Sequence, residues 1–350
     1  MNAIPTRMRG FRKLSRRPDD VAVVDLDVPE PGPDELLVEV AGCGVCGSDL
    51  HAVHADRGYE SMRIPVVLGH EFAGRVVAAG RDATAGVGDL VVAVSIQGCG
   101  GCVRCQGGRS QLCADRRILG IHTDGGLAGY VRVASRHLVP VPDGLGPVEA
   151  ALAEPLSVAV HAVLERTSIT PGTRVVVTGP GPIGLLAARL AHVAGAEVLV
   201  LGTAADTALR LPFAERLGVA TANLSDVAAA EAIRSRFGAA APDTWLEASG
   251  AVPAFGAAVG EIGPGGQITV IAQYASPVEF FVPDLLRRDV TLAFSYAANA
   301  AAYDTALRLL ATGVVPTAEF QTRYALDDTP TALADVAAGR VVKAVVVPGG

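Results

Sequence analysis

The sequence predicts an α/β protein of two domains, one rich in β-strands and one built on a doubly wound parallel sheet. The length of 350 residues favours about two domains. Residues 1–157 contain short strand-like segments between glycine- and proline-rich turns. Residues 158–297 contain apolar strand-like segments that alternate with helical ones, which is typical of a parallel sheet covered by helices.

The N-terminal region shows six runs rich in β-branched residues, separated by turn residues such as the Pro-Glu-Pro-Gly-Pro segment at 29–33. The predicted strands cover residues 21–28, 36–40, 66–68, 74–79, 90–96 and 129–133. Short strands joined by such turns indicate a compact, barrel-like domain.

The pattern changes after about residue 158. Continuous apolar runs without polar alternation indicate strands that are buried on both faces of a parallel sheet. The predicted strands are 174–178, 197–201, 244–248, 267–272 and 290–294, with helices at 183–194 and 206–217. Beyond residue 298, the pattern predicts a helix at 300–312 and an apolar strand at 341–347.

A glycine-rich turn, Gly-Pro-Gly-Pro-Ile-Gly, links the first strand of the second region to its first helix. In a dinucleotide-binding turn, the position of Gly179 makes the tight turn, that of Gly181 lets the backbone approach a pyrophosphate, and that of Gly184 allows close packing. Pro182 and Ile183 open the helix, whose free N–H groups favour phosphate. The strand before it and the helix after it therefore predict an NAD or NADP site.

The residue that would contact the cofactor ribose, and so choose between NAD and NADP, lies at the end of the second strand. An NAD-binding unit usually ends its second strand in Asp or Glu, and Gly202 occupies that position here. Thr203 and Arg210 could contact a 2′-phosphate, so the sequence slightly favours NADP. Alternatively, Asp206 is only a helix cap and Arg210 only a surface residue.

Four cysteines lie within fifteen residues, at Cys99, Cys102, Cys105 and Cys113. Zinc prefers four tetrahedral ligands, and thiolates are its usual donors in closed structural sites. The C-x2-C-x2-C-x7-C spacing is typical of a metal site. Two disulfides or four reactive thiols are the alternatives, and a reducing compartment disfavours disulfides.

Further candidate metal ligands are scattered along the chain. One thiolate, one imidazole and carboxylates can hold a catalytic zinc, and Cys46, His70, Glu71 and Glu154 supply these groups. Their separation in sequence proves nothing by itself. Taken singly, Cys46 could be a buried small residue, and His70 with Glu71 could be a surface pair.

Taken together, five segments resemble the zinc-dependent medium-chain alcohol dehydrogenases, and specifically their polyol and threonine dehydrogenase branch. The Glu-Pro-Leu-Ser sequence suggests this branch, because liver-type alcohol dehydrogenases carry a cysteine ligand there. The segments are GVCGSDLH at 44–51, GHEFAG at 69–74, the four-cysteine stretch, EPLSVAVHA at 154–162 and GPGPIG at 179–184.

This resemblance implies roles for the scattered residues. Cys46 and His70 match catalytic zinc ligands, and Glu71 matches a ligand that enters or leaves the coordination shell. Glu154 matches a further carboxylate, on zinc directly or through water. Which of the two carboxylates is the resting ligand stays open.

The resemblance also implies the rest of the reaction. Ser48 matches the hydroxyl that contacts the substrate alcohol, and His51 matches the end of a proton relay, a task that suits imidazole near neutral pH. A GroES-like catalytic domain at 1–157, completed by 298–350, would flank a Rossmann domain at 158–297. We expect one catalytic and one structural zinc per chain, a small-molecule alcohol or ketone substrate, and a homodimer or homotetramer.

The bulk charge excludes other classes of partner. The net charge of −7 and the pI of about 5.5 do not fit a nucleic-acid surface. The basic residues near the N-terminus are followed by Pro18-Asp19-Asp20 instead of an apolar signal segment, and no apolar run suits a membrane span. We expect a cytoplasmic enzyme, and a non-catalytic nucleotide-binding relative or a zinc-free reductase of activated double bonds as alternatives.

Overall fold

The computed structural model describes residues 3–84 and 86–349. The chain divides into two compact units, the first formed by Met1–Glu154 and Ala298–Gly350 and the second by Pro155–Ala297. The first is rich in strands and the second holds a parallel sheet with helices, which confirms the predicted fold class. Within the described ranges, no helix is both long and apolar enough to cross a bilayer.

Where it is described, the N-terminal segment of the first unit contains ten strands and two α-helices. The strands are β1 Arg7–Lys13, β2 Val21–Asp27, β3 Glu35–Gly44, β4 Val66–Val67, β5 Glu71–Ala79, β6 Leu90–Ala93, β7 Ile96–Gln97, β8 Arg117–Ile118, β9 Tyr130–Ala134 and β10 Leu138–Pro140. The helices are α1 Gly47–His54 and α2 Val103–Gln106, and α3 Ala153–Val160 follows at the boundary between the units.

The second unit contains six strands that all pair in parallel. They are β11 Arg174–Thr178, β12 Glu197–Gly202, β13 Ala220–Asn223, β14 Thr244–Glu247, β15 Gln267–Val270 and β16 Thr291–Phe294. The helices are α4 Pro182–Val193, α5 Arg210–Arg216, α6 Ala229–Phe237, α7 Val252–Glu261 and α8 Val282–Leu286. The strand order β13-β12-β11-β14-β15-β16 is that of a Rossmann sheet, whose direction of winding reverses between β11 and β14.

The C-terminal segment returns to the sheets of the first unit. It contains α9 Ala300–Ala311, α10 Thr317–Phe320, β17 Gln321–Ala325, α11 Thr329–Ala337 and β18 Lys343–Val347. β18 pairs with β3 in the sheet β10-β6-β5-β3-β18-β17, and β9 also pairs with β3. A second sheet has the order β2-β1-β4, and β7 pairs with β8.

Three differences between the predicted and the observed elements stand out. The predicted helix 206–217 is a short 3-10 turn at Ala204–Asp206 followed by α5, because Pro212 is tolerated only in the first turn of a helix. The predicted strand 90–96 is split into β6 and β7. Strand β1, which pairs regularly with β2, was not predicted because its three arginines and one lysine obscure the apolar pattern of a strand.

Candidate active site

The four cysteines at 99–113 form a half-exposed lobe, here called the cysteine lobe. Its four sulfur atoms all lie within 4.8 Å of one another, and all are free thiols. Cys102 Sγ lies 3.5 Å from Cys105 Sγ and 3.8 Å from Cys113 Sγ. A tetrahedron with zinc–sulfur bonds of about 2.3 Å has edges of about 3.8 Å, so the observed spacing fits one zinc ion.

Two thiols of the cysteine lobe differ in acidity. Hydrogen bonds from the backbone and side chain of Cys105 lower the pKa of Cys102 to about 7, whereas burial raises the pKa of Cys105 to about 11. Cys102 is therefore the first of the pair to ionise. A thiolate is the form that binds metal, so the lobe holds one sulfur that is poised for coordination near neutral pH.

A second group of metal-binding side chains, here called the metal cluster, consists of Cys46, His70 and Glu71. One ligand atom from each lies within 4.8 Å of the other two. Cys46 is the residue before α1, His70 precedes β5, and Glu71 is the first residue of β5. The antiparallel register places Glu71 opposite Gly44 at the end of β3, so the sheet joins segments that are distant in sequence.

The carboxylate of Asp49, a residue of α1, bridges the segments that carry Cys46 and His70. Its fully buried carboxylate accepts hydrogen bonds from the backbone N–H of Cys46 at 2.9 Å and of Gly69 at 3.2 Å. Asp49 Oδ1 also lies 3.7 Å from His70 Nδ1. A carboxylate beside the second nitrogen of the ring is the usual support for a metal-binding histidine.

Glu71 pairs with a buried lysine. Lys343 Nζ donates to Glu71 Oε1 at 2.5 Å and to the carbonyl of Val45 at 2.9 Å. Burial lowers the pKa of Lys343, but the charges of Glu71 and Cys46 outweigh it, and the net pKa is raised. Gly44 makes room for the pair, because a Cβ there would lie 2.1 Å from Glu71 Oε2.

Glu154 is not one of the three residues of the metal cluster, and hydroxyl groups contact its carboxylate. Ser95 Oγ donates to Glu154 Oε1 at 2.8 Å. The Tyr303 hydroxyl lies 3.0 Å from Ser95 Oγ and 3.4 Å from Glu154 Oε1, and it accepts a hydrogen bond from the Ser95 N–H. All three side chains are buried, so helix α9 fixes the position of this carboxylate.

Buried negative groups outnumber positive ones around the metal cluster. Burial opposes protonation of His70, but Asp49 and Cys46 raise its pKa well above the ordinary value. Burial raises the pKa of Glu154, and the nearby Glu71 charge raises it further. Such an excess of buried negative charge is costly without a cation, so this donor set fits a divalent metal.

The two residues expected in proton transfer lie on α1. Ser48 Oγ lies 3.3 Å from His70 Nε2, beside the metal cluster. His51 follows one turn later on the same face of the helix. Its ring is half exposed, and its Nδ1 lies 2.7 Å from Asp56 Oδ2.

The glycine turn of the second unit has the geometry of a phosphate-binding turn. Gly179 follows β11 with φ +84°, and a Cβ there would lie 2.6 Å from the Ser249 backbone. A Cβ at Gly184 would lie 2.0 Å from the Gly179 carbonyl oxygen. By contrast, a Cβ at Gly181 would meet nothing within 4 Å, so space is open where the backbone must approach a ligand. Pro182 and Ile183 begin α4, a helix of 12 residues.

The end of β12 is tightly packed, so a side chain in place of Gly202 would require Leu211 to shift. A Cβ at Gly202 would lie 2.8 Å from Leu211 and 3.2 Å from Asp206 Cβ. Asp206 Oδ2 instead accepts hydrogen bonds from the backbone of Thr203 at 3.0 Å and from its hydroxyl at 3.2 Å. Arg210 Nη1 lies 3.4 Å from Asp206 Oδ1, so the expected ribose-reading residues form one local group.

Sequence reasoning missed Asp49, Ser95, Tyr303 and Lys343. For Lys343 a signal was available, because the chain has only two lysines and this one lies in an otherwise apolar strand. A buried amine needs a charged partner, which could have pointed to Glu71. Asp49 stands three residues after Cys46, where a carboxylate caps the start of a helix.

Comparison with known proteins identifies the family. Residues 32–143 match the alcohol dehydrogenase GroES-like domain, and residues 182–312 match the zinc-binding dehydrogenase domain. The D-arabitol-phosphate dehydrogenase of Enterococcus avium is 33% identical over 347 residues, which cover 97% of each chain. The sorbitol dehydrogenase of Halalkalibacterium halodurans is 33% identical over 346 residues, 97% of this chain and 99% of that one.

The fold agrees with the sequence matches. A Sinorhizobium meliloti 1021 protein named a zinc-binding dehydrogenase, solved bound to NADP, superposes with a TM-score of 0.90. It is 33% identical, and the match covers 98% of this chain and 100% of that one. The chain therefore belongs to the zinc-dependent medium-chain alcohol dehydrogenases and is an NAD(P)-dependent alcohol or polyol dehydrogenase.

Proposed function

We propose that this enzyme oxidises a secondary hydroxyl of a polyol or sugar-like substrate to a ketone, reversibly, with hydride transfer to NAD(P). The observation that carries the proposal is the convergence of Cys46, His70 and Glu71 within 4.8 Å, next to the Ser48 hydroxyl. The names of the sorbitol and D-arabitol-phosphate dehydrogenase relatives support a polyol as the substrate class.

Cys46, His70 and a carboxylate are the proposed ligands of a catalytic zinc. When bound, the ion supplies Lewis acidity that polarises the reacting oxygen of the substrate. Glu71 is the carboxylate that lies with the thiol and the imidazole, while Lys343 competes for it. Glu154 is the proposed alternative ligand, directly or through water. The cysteine lobe is the proposed structural zinc site, which gives two ions per chain.

Ser48 and His51 are the proposed proton path. The Ser48 hydroxyl can both accept and donate a proton beside the metal cluster. The Asp56 carboxylate contacts Nδ1 of His51 and so favours the tautomer with its proton there. Nε2 is then free to take up a proton during alcohol oxidation and to return one during ketone reduction.

NADP is the proposed preferred cofactor, bound at Gly179, Gly181, Pro182, Ile183 and Gly184. The missing acid at Gly202 removes repulsion against a 2′-phosphate, and Arg210 with the Thr203 hydroxyl supplies donors. Arg210→Gln should raise KM for NADP about tenfold and leave KM for NAD unchanged. The control is Arg234→Gln, which removes the same charge from an exposed position in α6. An equal rise in KM for NAD and for NADP in Arg210→Gln would count against the assignment of Arg210 to the 2′-phosphate.

A cytoplasmic homo-oligomer is the proposed state. Free thiols in a cysteine-rich metal site suit a reducing compartment. Strand β16 is the last strand of its sheet, and Phe294 on it is 63% exposed. An exposed apolar sheet edge favours pairing with a second copy. Light scattering should give twice or four times the mass of the chain.

The test combines zinc analysis, binding of both cofactors and oxidation of a panel of polyols and secondary alcohols on one preparation. About two zinc ions per chain with turnover of a polyol would support the proposal. One zinc ion per chain, cofactor binding and no turnover would overturn it, because the lobe alone would then hold metal.

A further inference from the structure

Glu247, the last residue of β14, is a fully buried carboxylate that belongs to neither metal-binding group. It lies at the carboxyl end of the parallel sheet, beside Thr178 at the end of β11. The winding of the sheet reverses between these two strands, and ligands of open α/β sheets bind outside the carboxyl ends of the strands at such a point. A buried carboxylate is costly to keep ionised, so its surroundings must compensate.

Neutral donors surround both oxygen atoms of this carboxylate. Oε1 accepts the Ser249 N–H at 2.9 Å and the Ser249 hydroxyl, and the Thr178 hydroxyl lies 3.4 Å away. Oε2 accepts the Gly250 N–H at 3.3 Å and the Tyr274 hydroxyl at 2.5 Å. Each oxygen therefore faces a backbone N–H, which can only donate. Two oxygens that both accept are what an ionised carboxylate provides.

These hydrogen bonds join two loops at the same edge of the sheet. Gly250, in the loop after β14, has φ +69°, and a Cβ there would lie 2.4 Å from the carbonyl oxygen of Gln273 in the loop after β15. Burial raises the pKa of Tyr274, and its hydrogen bond to Glu247 raises that pKa further, so the phenol stays a donor. The two loops are therefore packed together around one carboxylate.

The loop after β14 also supports the glycine turn. A Cβ on Gly179 would lie 2.6 Å from the Ser249 backbone, so the first glycine of the turn packs against the residue that Glu247 holds. Thr178 immediately precedes Gly179, and its hydroxyl accepts a hydrogen bond from Trp245 Nε1 at 3.1 Å. A displacement of Ser249 would therefore change the space that the turn occupies.

We propose that Glu247 is a positioning residue for NAD(P), whose carboxylate holds the loop at 248–251 against Gly179 and so fixes the shape of the phosphate-binding turn. Glu247 is fully buried, so it acts through Ser249 instead of touching the cofactor. The backbone of such a turn must approach the pyrophosphate closely, and a small displacement weakens its hydrogen bonds. The inference rests on the proposed binding of the cofactor at the glycine turn and is the same for NAD and NADP.

The test is the dissociation constant for NADPH and for NADH, measured by energy transfer to the bound dihydronicotinamide from Trp245, the only tryptophan of the chain. Glu247→Gln keeps the shape of the side chain, but in either orientation its amide NH2 meets a backbone N–H. Both dissociation constants should rise about tenfold or more, because a charged acceptor is replaced by a donor. KM for the cofactor should rise by a similar factor, whereas kcat at saturating cofactor should stay near the wild-type value.

Asp243→Asn is the matched control. Asp243 precedes the same strand at the opposite edge of the sheet, where its Oδ2 accepts hydrogen bonds from the backbone N–H and the Nε of Arg174, each at 2.9 Å. This variant also loses a charged acceptor, so its melting temperature should fall, but both dissociation constants should stay unchanged.

Ser249→Ala is a milder change at the same contact. It removes one hydroxyl that donates to Glu247 and should raise both dissociation constants several-fold. It provides the same test where Glu247→Gln is poorly folded, and melting curves verify the fold of each variant.

Two results would overturn the role of Glu247. One is a pair of dissociation constants within about twofold of the wild-type values in both Glu247→Gln and Ser249→Ala. The other is an equal rise in Asp243→Asn, since a general loss of stability would then explain the effect. Failure of the wild-type protein to bind either cofactor would overturn the proposed cofactor site itself, and the inference with it.

Discussion

The cysteine lobe and the metal cluster lie in the same unit but are built differently. The lobe takes four identical ligands from fifteen consecutive residues and leaves one of them, Cys99, exposed. The metal cluster takes three unlike ligands from two segments, the start of α1 and the start of β5, and buries His70 and Glu71. The lobe needs little from the rest of the fold, whereas the cluster exists only because β3, β5 and α1 meet.

The difference extends to the groups around the ligands. Thiols alone complete the lobe, which is how a closed structural site is built. Around the cluster, Asp49 lies beside the His70 ring, Lys343 neutralises Glu71, and the hydroxyls of Ser95 and Tyr303 contact Glu154. Such outer partners orient metal ligands and tune their basicity, which a closed site of four thiolates needs less.

The first prediction separates the two sites by activity. Cys46→Ala should lower kcat/KM by about 10³-fold or more, because the metal cluster loses a ligand and with it the polarisation of substrate. The zinc content should fall from about two ions to about one per chain, since the lobe is unaffected. Steady-state kinetics and metal analysis check both parts.

Cys43→Ala is the matched control for that variant. Cys43 is a buried thiol three residues away, and its sulfur donates a weak hydrogen bond to the Gly44 carbonyl at 3.6 Å. The change should cost about 1–2 kcal/mol of stability and leave kcat and zinc content unaltered. Equal loss of activity in both variants would contradict the assignment of Cys46 as a ligand.

The second prediction concerns the balance of charge in the cluster. Lys343→Met leaves the buried Glu71 carboxylate without its cation, so the free energy of unfolding should fall by about 3–5 kcal/mol. Glu71→Gln combined with Lys343→Met removes both charges and should recover a large part of the loss. Denaturation in urea measures the free energy of unfolding of the wild-type protein, of Lys343→Met and of the double variant. A double variant no more stable than Lys343→Met would argue against this pair as the source of the loss.

The third prediction tests whether the cysteine lobe is structural only. Cys113→Ser removes its most buried ligand, so zinc should be lost there and the melting temperature should fall by several degrees. The remaining folded enzyme should keep its kcat, because the metal cluster is intact. Arg104→Gln, an exposed change in the same lobe, should alter neither property. A fall in kcat at full occupancy of the metal cluster would contradict a purely structural lobe.

The contrast between the sites also explains what the sequence alone predicted. The cysteine lobe and the glycine turn at 179–184 are local, so spacing indicates them directly. Cys46, His70 and Glu71 were candidates from their chemistry alone, and only the resemblance gave them roles, because β-sheet register, not spacing, joins their segments. The Lys343–Glu71 pair links residues 272 positions apart, and no local pattern encodes such a contact. The start of α5 was missed because the constraint of Pro212 outweighed the helical periodicity.

The last and smallest expected effect concerns Glu154, whose carboxylate contacts the hydroxyls of Ser95 and Tyr303. Tyr303→Phe removes the group that accepts from the Ser95 N–H and lies 3.0 Å from Ser95 Oγ, so Ser95 and Glu154 lose part of their support. Stability should fall by about 1 kcal/mol and kcat by roughly three- to tenfold, if Glu154 serves the metal cluster.

Tyr324→Phe is the matched control for this last change. The Tyr324 hydroxyl donates to Asp335 Oδ2 at 2.6 Å, and none of its described contacts involves the metal cluster. The two variants should lose similar stability, but only Tyr303→Phe should lose kcat. Equal kinetics in the two would mean that the Ser95–Tyr303 network supports only the fold, and Glu71 would then be the one carboxylate that the cluster needs.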